Sequence, residues 1–129
     1  MNYNEIQLDK LNSIIFSETA EAAAKNIEDR NVNKATQIRK FYDELNMWND
    51  KVIQATNPVE EYEKLAPFIH MMKAKVAYSF GRKHVNENFL NLFNQIINEI
   101  KDDKTLRNAK LFFEAVLGFK KANEEASKR

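Results

Sequence analysis

Apolar residues recur at helical spacing through most of this chain. The clearest run places apolar side chains at alternating intervals of three and four residues, at Ile38, Phe41, Leu45, Trp48 and Val52. Because a helix turns about 100° per residue, these positions share one face. The spacing predicts a helix over residues 34–55 with a continuous buried stripe. No window alternates apolar and polar residues with period two, so no strand is predicted.

Five further helices are predicted in the same way, over residues 17–30, 58–65, 67–81, 85–100 and 105–124. Ser17 is the expected N-cap of the first, and Asn57 followed by Pro58 is typical of a helix start. Residues 1–14 are expected to form an arm or a short helix, and residues 125–129 a frayed tail. The prediction is a single all-α domain over residues 1–129, a compact bundle of five or six helices with short connections.

Composition agrees with a helical intracellular protein. The 129 residues include only two glycines and two prolines, and 43% are apolar, which suits one domain with its own core. Cysteine is absent, which excludes disulfides and thiolate metal sites. We find no apolar run of about 18 residues and no secretory signal, so we expect a cytoplasmic protein with no membrane contact.

Residues that could carry catalysis are scarce. The sequence has no Gly-x-Ser-x-Gly nucleophile motif and no phosphate-binding glycine loop. His70 and His84 are its two histidines, 14 positions apart. On one continuous helix that separation is about 20 Å, too far to share a metal ion. We therefore expect no enzymatic activity, no catalytic residue, no cofactor and no metal site.

The segment of residues 73–83 is basic and contains no acid. Its cations are Lys73, Lys75, Arg82 and Lys83, and it also contains Tyr78. Helical spacing puts Lys75, Tyr78 and Arg82 on one side. The opposite, apolar side consists of Ile69, Met72, Val76 and Phe80. A positive stripe with an aromatic ring is typical of a surface that meets a phosphate backbone. The alternative is that the cation stems only cover apolar surface and that Tyr78 bonds within the bundle.

A second basic segment opens the helix predicted over residues 34–55. Arg39 and Lys40 lie outside its buried stripe, where they could bind an anion or pair with Asp43 and Glu44 four residues further on. The net charge of the chain is only +1. Residues 34–84 nevertheless hold nine bases and six acids, whereas residues 1–33 hold six acids and three bases. Any anion-binding surface is therefore local.

Aromatic residues near the C-terminus allow a different function. Of the adjacent Phe112 and Phe113, one ring must point inward, and the other could cover a neighbouring helix or a partner subunit, as could Phe119. Trp48 belongs to the apolar stripe and is expected in the core. A helical adaptor that binds only protein is thus an alternative to a nucleic-acid-binding protein.

Three motifs together resemble a known family. They are TQIRKFY at residues 36–42, KAKVAY at residues 73–78 followed by Gly81-Arg82, and FFEAV at residues 112–116. In order and spacing they resemble the small helical subunit of type III-A (Csm) CRISPR effector complexes. The resemblance covers about residues 17–122.

The resemblance implies a non-catalytic architectural subunit of an antiviral ribonucleoprotein complex. Its partners would be target RNA, guide RNA, other subunits of the complex and copies of itself stacked along the groove where target and guide pair. Carried over to this chain, the phosphate contacts would be Arg39, Lys40, Lys75 and Arg82, supported by Gln37 and Tyr78, with Lys73 and Lys83 secondary. Such contacts position a strand without reading its sequence.

Overall fold

The computed structural model describes residues 1–128, and all of its regular structure is helical. Its six α-helices are α1 (Ala20–Asn26), α2 (Ala35–Ile53), α3 (Pro58–His70), α4 (Met72–Gly81), α5 (Glu87–Asn98) and α6 (Asp103–Ser127). A 3-10 turn and a π-helical turn precede α1, at Tyr3–Glu5 and Ile15–Thr19. The predicted all-α class and helix number are confirmed. Among the described residues, no helix combines the length and apolar content needed to cross a bilayer.

Helix α6 lies at the centre of the bundle, packed against α1 and α2, while α4 packs on α5 and α3 on α2. The core is built around four phenylalanines from three helices, Phe41, Phe89, Phe93 and Phe113, all buried. In every pair except Phe41 and Phe113, the ring centroids lie between 5.8 and 6.2 Å apart. Aromatic rings in contact at this distance stabilise the fold by more than the burial of their apolar area alone. The predicted stripe of α2 faces this core, but Trp48, which was expected in the core, is only half-buried, and its neighbour Asn49 is buried.

Several predicted helix boundaries differ from the structure. Helix α1 begins at Ala20 and already ends at Asn26, whereas the prediction extended it to residue 30. Ser17 is not its N-cap, because it lies in the π-helical turn before it. Helix α3 does not end at Leu65 but continues through Pro67 to His70. Helix α6 extends to Ser127, three residues beyond the predicted end. The Asn57 cap is confirmed, since its side chain accepts a hydrogen bond of 3.2 Å from the Glu60 N–H.

Pro67 does not interrupt its helix because packing holds the segments on both sides of it. Proline removes one backbone hydrogen bond and disfavours a helical residue before it. Tyr62 and Ile69 are seven residues apart, so they share one face of α3, and both are buried. The chain instead breaks at Met71, between α3 and α4.

The buried face of α4 differs from the prediction at one position. Met72, Val76 and Ser79 are buried, whereas Phe80 is 39% exposed. Phe80 follows Met72 by eight residues, so it is rotated about 80° around the helix axis from Met72. Ser79 follows Met72 by seven residues and lies within about 20° of it. The prediction that Phe80 belongs to the apolar face is wrong for that reason.

The first residues of the chain form an arm that docks on α5 and α6. Ile6 and Leu8 are fully buried. The Gln95 side chain donates to the Ile6 carbonyl (3.0 Å), and the Asn108 side chain donates to the Leu8 carbonyl (2.8 Å). The Leu8 N–H donates to Glu99 Oε1 at 3.0 Å. Side chains of both helices thus bind the irregular backbone of the arm.

Asn33 joins the α1–α2 loop to the α4–α5 loop. It is 1% exposed and has a φ of 55°, a left-handed conformation that asparagine tolerates better than most residues. Its amide nitrogen donates to the Ile27 carbonyl (2.9 Å) and to Asn86 Oδ1 (3.0 Å). The Asn86 N–H donates to Asn33 Oδ1 (3.0 Å), and the Asn33 N–H donates to the His84 carbonyl (3.0 Å). These bonds fix the loop after α4 against the start of α2.

Candidate nucleic-acid interface

A groove of about 620 Å³ lies between α2 and the segment formed by α4 and the loop after it. Five of the eight residues predicted to bind RNA line it, namely Gln37, Lys40, Lys75, Tyr78 and Arg82. They come from two segments of the chain that are more than 30 positions apart. Helix α2 packs on α3 and α6, and α4 packs on α5, so the groove remains between α2 and α4. The two basic motifs of the sequence therefore border one surface.

Tyr78 and Arg82 form a pair on the α4 side of this groove. The Tyr78 side chain is the more prominent, at 67% exposed. Arg82 Nη1 donates to Tyr78 Oη at 3.2 Å, and the guanidinium carbon lies 5.8 Å from the ring centroid. This contact is a cation–π interaction as well as a hydrogen bond. It leaves the remaining guanidinium N–H groups for an anion.

Lys75 shares the groove but is not a free cation. Its Nζ lies 2.9 Å from Glu44 Oε1 and 3.0 Å from Oε2. Trp48 Nε1 donates to the same carboxylate at 3.1 Å. The expectation of a stripe without a neutralising acid holds within residues 73–83, but the structure supplies Glu44 from α2. With the Lys75 and Glu44 side chains 44% and 21% exposed, water screens the pair, which is worth about 0–1 kcal/mol.

Lys40 faces the groove without a counterion. The predicted intrahelical pair between Lys40 and Glu44 is wrong, because Glu44 turns to Lys75 across the groove. Within residues 1–128, neither Lys40 nor Arg82 forms an ion pair. Both side chains are exposed. These two residues are therefore the cations of the groove whose charge is not offset.

The groove also contains buried polar atoms. Gln37 Oε1 and Ser79 Oγ are both buried, and neither has a hydrogen-bond partner in the described part of the chain. His84 lies at the end of the groove beside Arg82 and is exposed. The lining thus combines cations, an aromatic hydroxyl and amide or hydroxyl groups, which is the chemistry that phosphate and sugar contacts use.

Three predicted residues lie away from this groove. Arg39 donates to Asp43 at 3.1 Å, as predicted, and lies 5.4 Å from the Tyr42 ring centroid. It lines a separate hollow of about 420 Å³ toward α6. Lys73 Nζ donates to Asn98 Oδ1 of α5 at 2.6 Å. Lys83 is exposed beyond the end of α4, with a φ of 64°.

The side of α2 next to α6 has its own polar cluster. Tyr42 Oη donates to Glu114 Oε1 at 2.7 Å, and Lys110 Nζ lies 2.8 Å from the same oxygen. Burial and the bond to Glu114 raise the pKa of the Tyr42 hydroxyl. The hydrogen bonds from Lys110 and Tyr42 lower the pKa of Glu114. This cluster joins α2 to α6, so it fixes the helix that carries Gln37 and Lys40.

Phe112 and Phe113 are both fully buried, so the second ring packs within the bundle and does not face a partner subunit, which were the two alternatives for it. Helix α6 lies centrally and packs against other helices on several sides, so both of these adjacent side chains are buried. Phe119 is half-buried against the core. The adaptor alternative loses the aromatic surface on which it was based.

The sequence did not indicate two of the side chains around the groove. Glu44 reaches Lys75 over 31 positions, and Phe68 of α3 stacks on Trp48 of α2 at 6.3 Å between ring centroids. Both contacts join different helices, so no local spacing signals them. Among residues 1–128, no cluster of three histidine or acidic side chains could hold a metal ion.

These observations define a small all-helical protein with a cationic groove on one side. The chain belongs to the Csm2 type III-A family, whose model matches residues 10–126. It is therefore a subunit of a type III-A CRISPR effector complex, from a family of structural small subunits. No curated protein and no solved structure gives a significant match. The docked residues Ile6 and Leu8 precede the matched region.

Proposed function

We propose that this subunit is non-catalytic and architectural, and that it contacts the backbone of the duplex formed by target and guide RNA without reading its sequence. Several copies would stack along the complex, in the cytoplasm, beside the other subunits. The observation that carries the proposal is the convergence of Gln37, Lys40, Lys75, Tyr78 and Arg82 on the groove between α2 and α4.

The chemistry of the groove suits a phosphate backbone. Lys40 and Arg82 offer uncompensated charge, and a guanidinium can bind two phosphate oxygens at once. The Tyr78 hydroxyl and the Gln37 amide add groups that bond phosphate or sugar oxygens. Because all nucleotides share these atoms, binding here is indifferent to sequence and is weakened by salt.

The same groove is poorly equipped for chemistry. Its one acid, Glu44, is held by Lys75 and Trp48. Its one histidine, His84, is exposed, and no carboxylate of residues 1–128 is bonded to it. A general base needs a partner that orients it beside the reacting group. This arrangement supports the proposal that the subunit positions RNA while other subunits act on it.

A charge-reversal experiment tests the proposal. The variant Lys40→Glu/Arg82→Glu and the control Lys25→Glu/Lys104→Glu carry the same charge change, but the control positions lie outside the groove. RNA binding is measured across a salt series, with the chain alone and in the complex. We expect the groove variant to bind more weakly, with a salt slope reduced by about 0.7 for each single-strand phosphate that it no longer binds.

Thermal unfolding establishes that both variants fold. A folded groove variant that keeps the affinity and salt slope of the control would overturn the proposal. Absence of RNA binding by the unmodified protein at low salt would favour the alternative, a helical adaptor that contacts only protein.

A further inference from the structure

A stacked aromatic pair lies next to the groove. Phe68 of α3 packs on Trp48 of α2 with ring centroids 6.3 Å apart and planes inclined by 21°. Phe68 is nevertheless 51% exposed, whereas Trp48 is half-buried. The two rings are nearly parallel, so Trp48 supports an exposed, flat and apolar side chain.

Direct contacts link this aromatic pair to the cationic groove. Trp48 Nε1 donates to Glu44 Oε2 (3.1 Å), and the same carboxylate holds Lys75 in the groove. Met71 is 49% exposed and also lines the groove. Since Met71 follows Phe68 by three residues, the two side chains are neighbours on the helix surface. The apolar surface therefore continues into the groove.

Positive charge lies on both sides of the pair. Lys51 Nζ lies 5.9 Å from the centroid of the Trp48 ring. On the other side is the groove, where Lys75 is paired with Glu44 and the charge comes mainly from Lys40 and Arg82. An anionic strand that leaves the groove toward Lys51 would pass the aromatic pair. A nucleobase on such a strand is planar and apolar on its faces, so it complements a flat ring between cations better than an aliphatic side chain does.

We propose that Phe68, stacked on Trp48, is a platform for a base that lies outside the paired part of the RNA strand whose phosphates follow the groove. This inference rests on the proposed function, since it requires that a strand occupies the groove. Any base can stack, because every base has a π-face, so the platform adds affinity without sequence preference.

The test compares two probes of equal length, an oligoadenylate and an abasic ribose-phosphate oligomer. The proteins are the unmodified full chain, Phe68→Leu, and the control Val59→Ala at another exposed apolar position of α3. We expect the unmodified chain and the control to bind oligoadenylate about five- to a hundredfold more tightly than the abasic probe. Phe68→Leu should bind both probes equally, with unchanged affinity for the abasic one.

Fluorescence gives a second readout, because Trp48 is the one tryptophan of the chain. Oligoadenylate should change its emission in the unmodified chain, and the abasic probe should not. Equal binding of both probes by the unmodified chain would overturn the platform, as would a preference that survives in folded Phe68→Leu. Either result would leave the proposed function intact. If neither probe binds at low salt, both proposals fail.

The proposal is also overturned if Phe68→Leu lowers incorporation of the subunit into the complex while both probes bind as before. That result would make the exposed ring a protein contact.

Discussion

Glu44 and Lys75 face each other across the groove, with both carboxylate oxygens within 3.0 Å of the ammonium nitrogen. A phosphate that approaches Lys75 must compete with a carboxylate already in place. The Coulomb attraction available from Lys75 is therefore partly used within the protein. The charge that meets a strand comes mainly from Lys40 and Arg82, which lie in the same groove.

Replacing Glu44 should strengthen RNA binding. In Glu44→Gln the carboxylate no longer repels phosphate, and Lys75 is free to contact the strand. We expect tighter binding at low salt and a salt slope steeper by about 0.7, the value for one additional single-strand phosphate bound. A salt series with single-stranded RNA measures both quantities.

The control for this change is Glu61→Gln. Glu61 lies on α3, where Lys64 Nζ is 4.0 Å from its carboxylate, and it does not line the groove. Glu61→Gln removes the same charge as Glu44→Gln and should leave the salt slope of RNA binding unchanged. Weaker binding by Glu44→Gln would contradict the prediction, since it would mean that the carboxylate positions Lys75 rather than competing with RNA.

Arg39 and Arg82 should differ in their effect on RNA binding, although both belong to the basic motifs of the sequence. Arg82 lines the groove, whereas Arg39 pairs with Asp43 and faces the hollow toward α6. We expect Arg82→Gln to weaken RNA binding and lower the salt slope, and Arg39→Gln to change neither. Filter binding or anisotropy with the two single variants checks this. A larger loss of affinity in Arg39→Gln would place the strand on the other side of α2.

Asn33 should be a major determinant of stability. Asn33→Ala removes three side-chain hydrogen bonds and puts alanine at a φ of 55°, so we expect a loss of about 2 kcal/mol or more. Denaturant unfolding measures the change. Asn33→Gly should lose less, because glycine adopts positive φ without strain.

The exposed Asn31 offers a matched control in the same loop, and Asn31→Ala should have little effect. If Asn33→Ala is as stable as Asn31→Ala, then the junction between the two loops does not contribute to folding.

Asp102 makes the start of α6 sensitive to acid. Its carboxylate accepts a hydrogen bond of 2.8 Å from the Thr105 N–H, and this contact lowers the pKa of Asp102 below its usual 3.8. A depressed pKa means that the stabilisation is complete well above 3.8 and disappears as the pH falls through the lower, folded value. At neutral pH, Asp102→Ala should cost about 1 kcal/mol.

Denaturant unfolding of both proteins between about pH 2 and about pH 7, a range that brackets the usual pKa of Asp, checks this. The stability difference should shrink toward the acid end. Asp102→Asn retains an N-cap acceptor that does not titrate, so its own cap contribution should not depend on pH. If the difference in unfolding free energy between Asp102→Ala and the unmodified protein does not change with pH, the ionised Asp102 carboxylate is not the group that stabilises the start of α6.

Local spacing was sufficient for much of the fold and for part of the site. The stripe of α2 from Ile38 to Val52 follows directly from its periodicity, since a long amphipathic helix buries whichever face is apolar. The side of α4 shared by Lys75, Tyr78 and Arg82 follows from the same geometry. These features depend only on residues a few positions apart.

Features that depend on other helices could not be read in this way. Pro67 signals a helix start in isolation, but the burial of Tyr62 and Ile69 outweighs that preference. Glu44 has a suitable intrahelical partner four residues away, yet it pairs with a lysine of another helix. Phe112 and Phe113 are both buried because α6 lies at the centre. In each case tertiary packing overrides the local rule.

The hydrogen-bond partners of Leu8 lie 91 and 100 positions further along the chain. A ribosome makes the N-terminus first and adds residues at the C-terminal end, so the arm is synthesised long before Glu99 and Asn108. Leu8 therefore cannot form these bonds until α5 and the start of α6 have been made. The order of synthesis makes docking of the arm a late event, so it closes a bundle whose helices are already present.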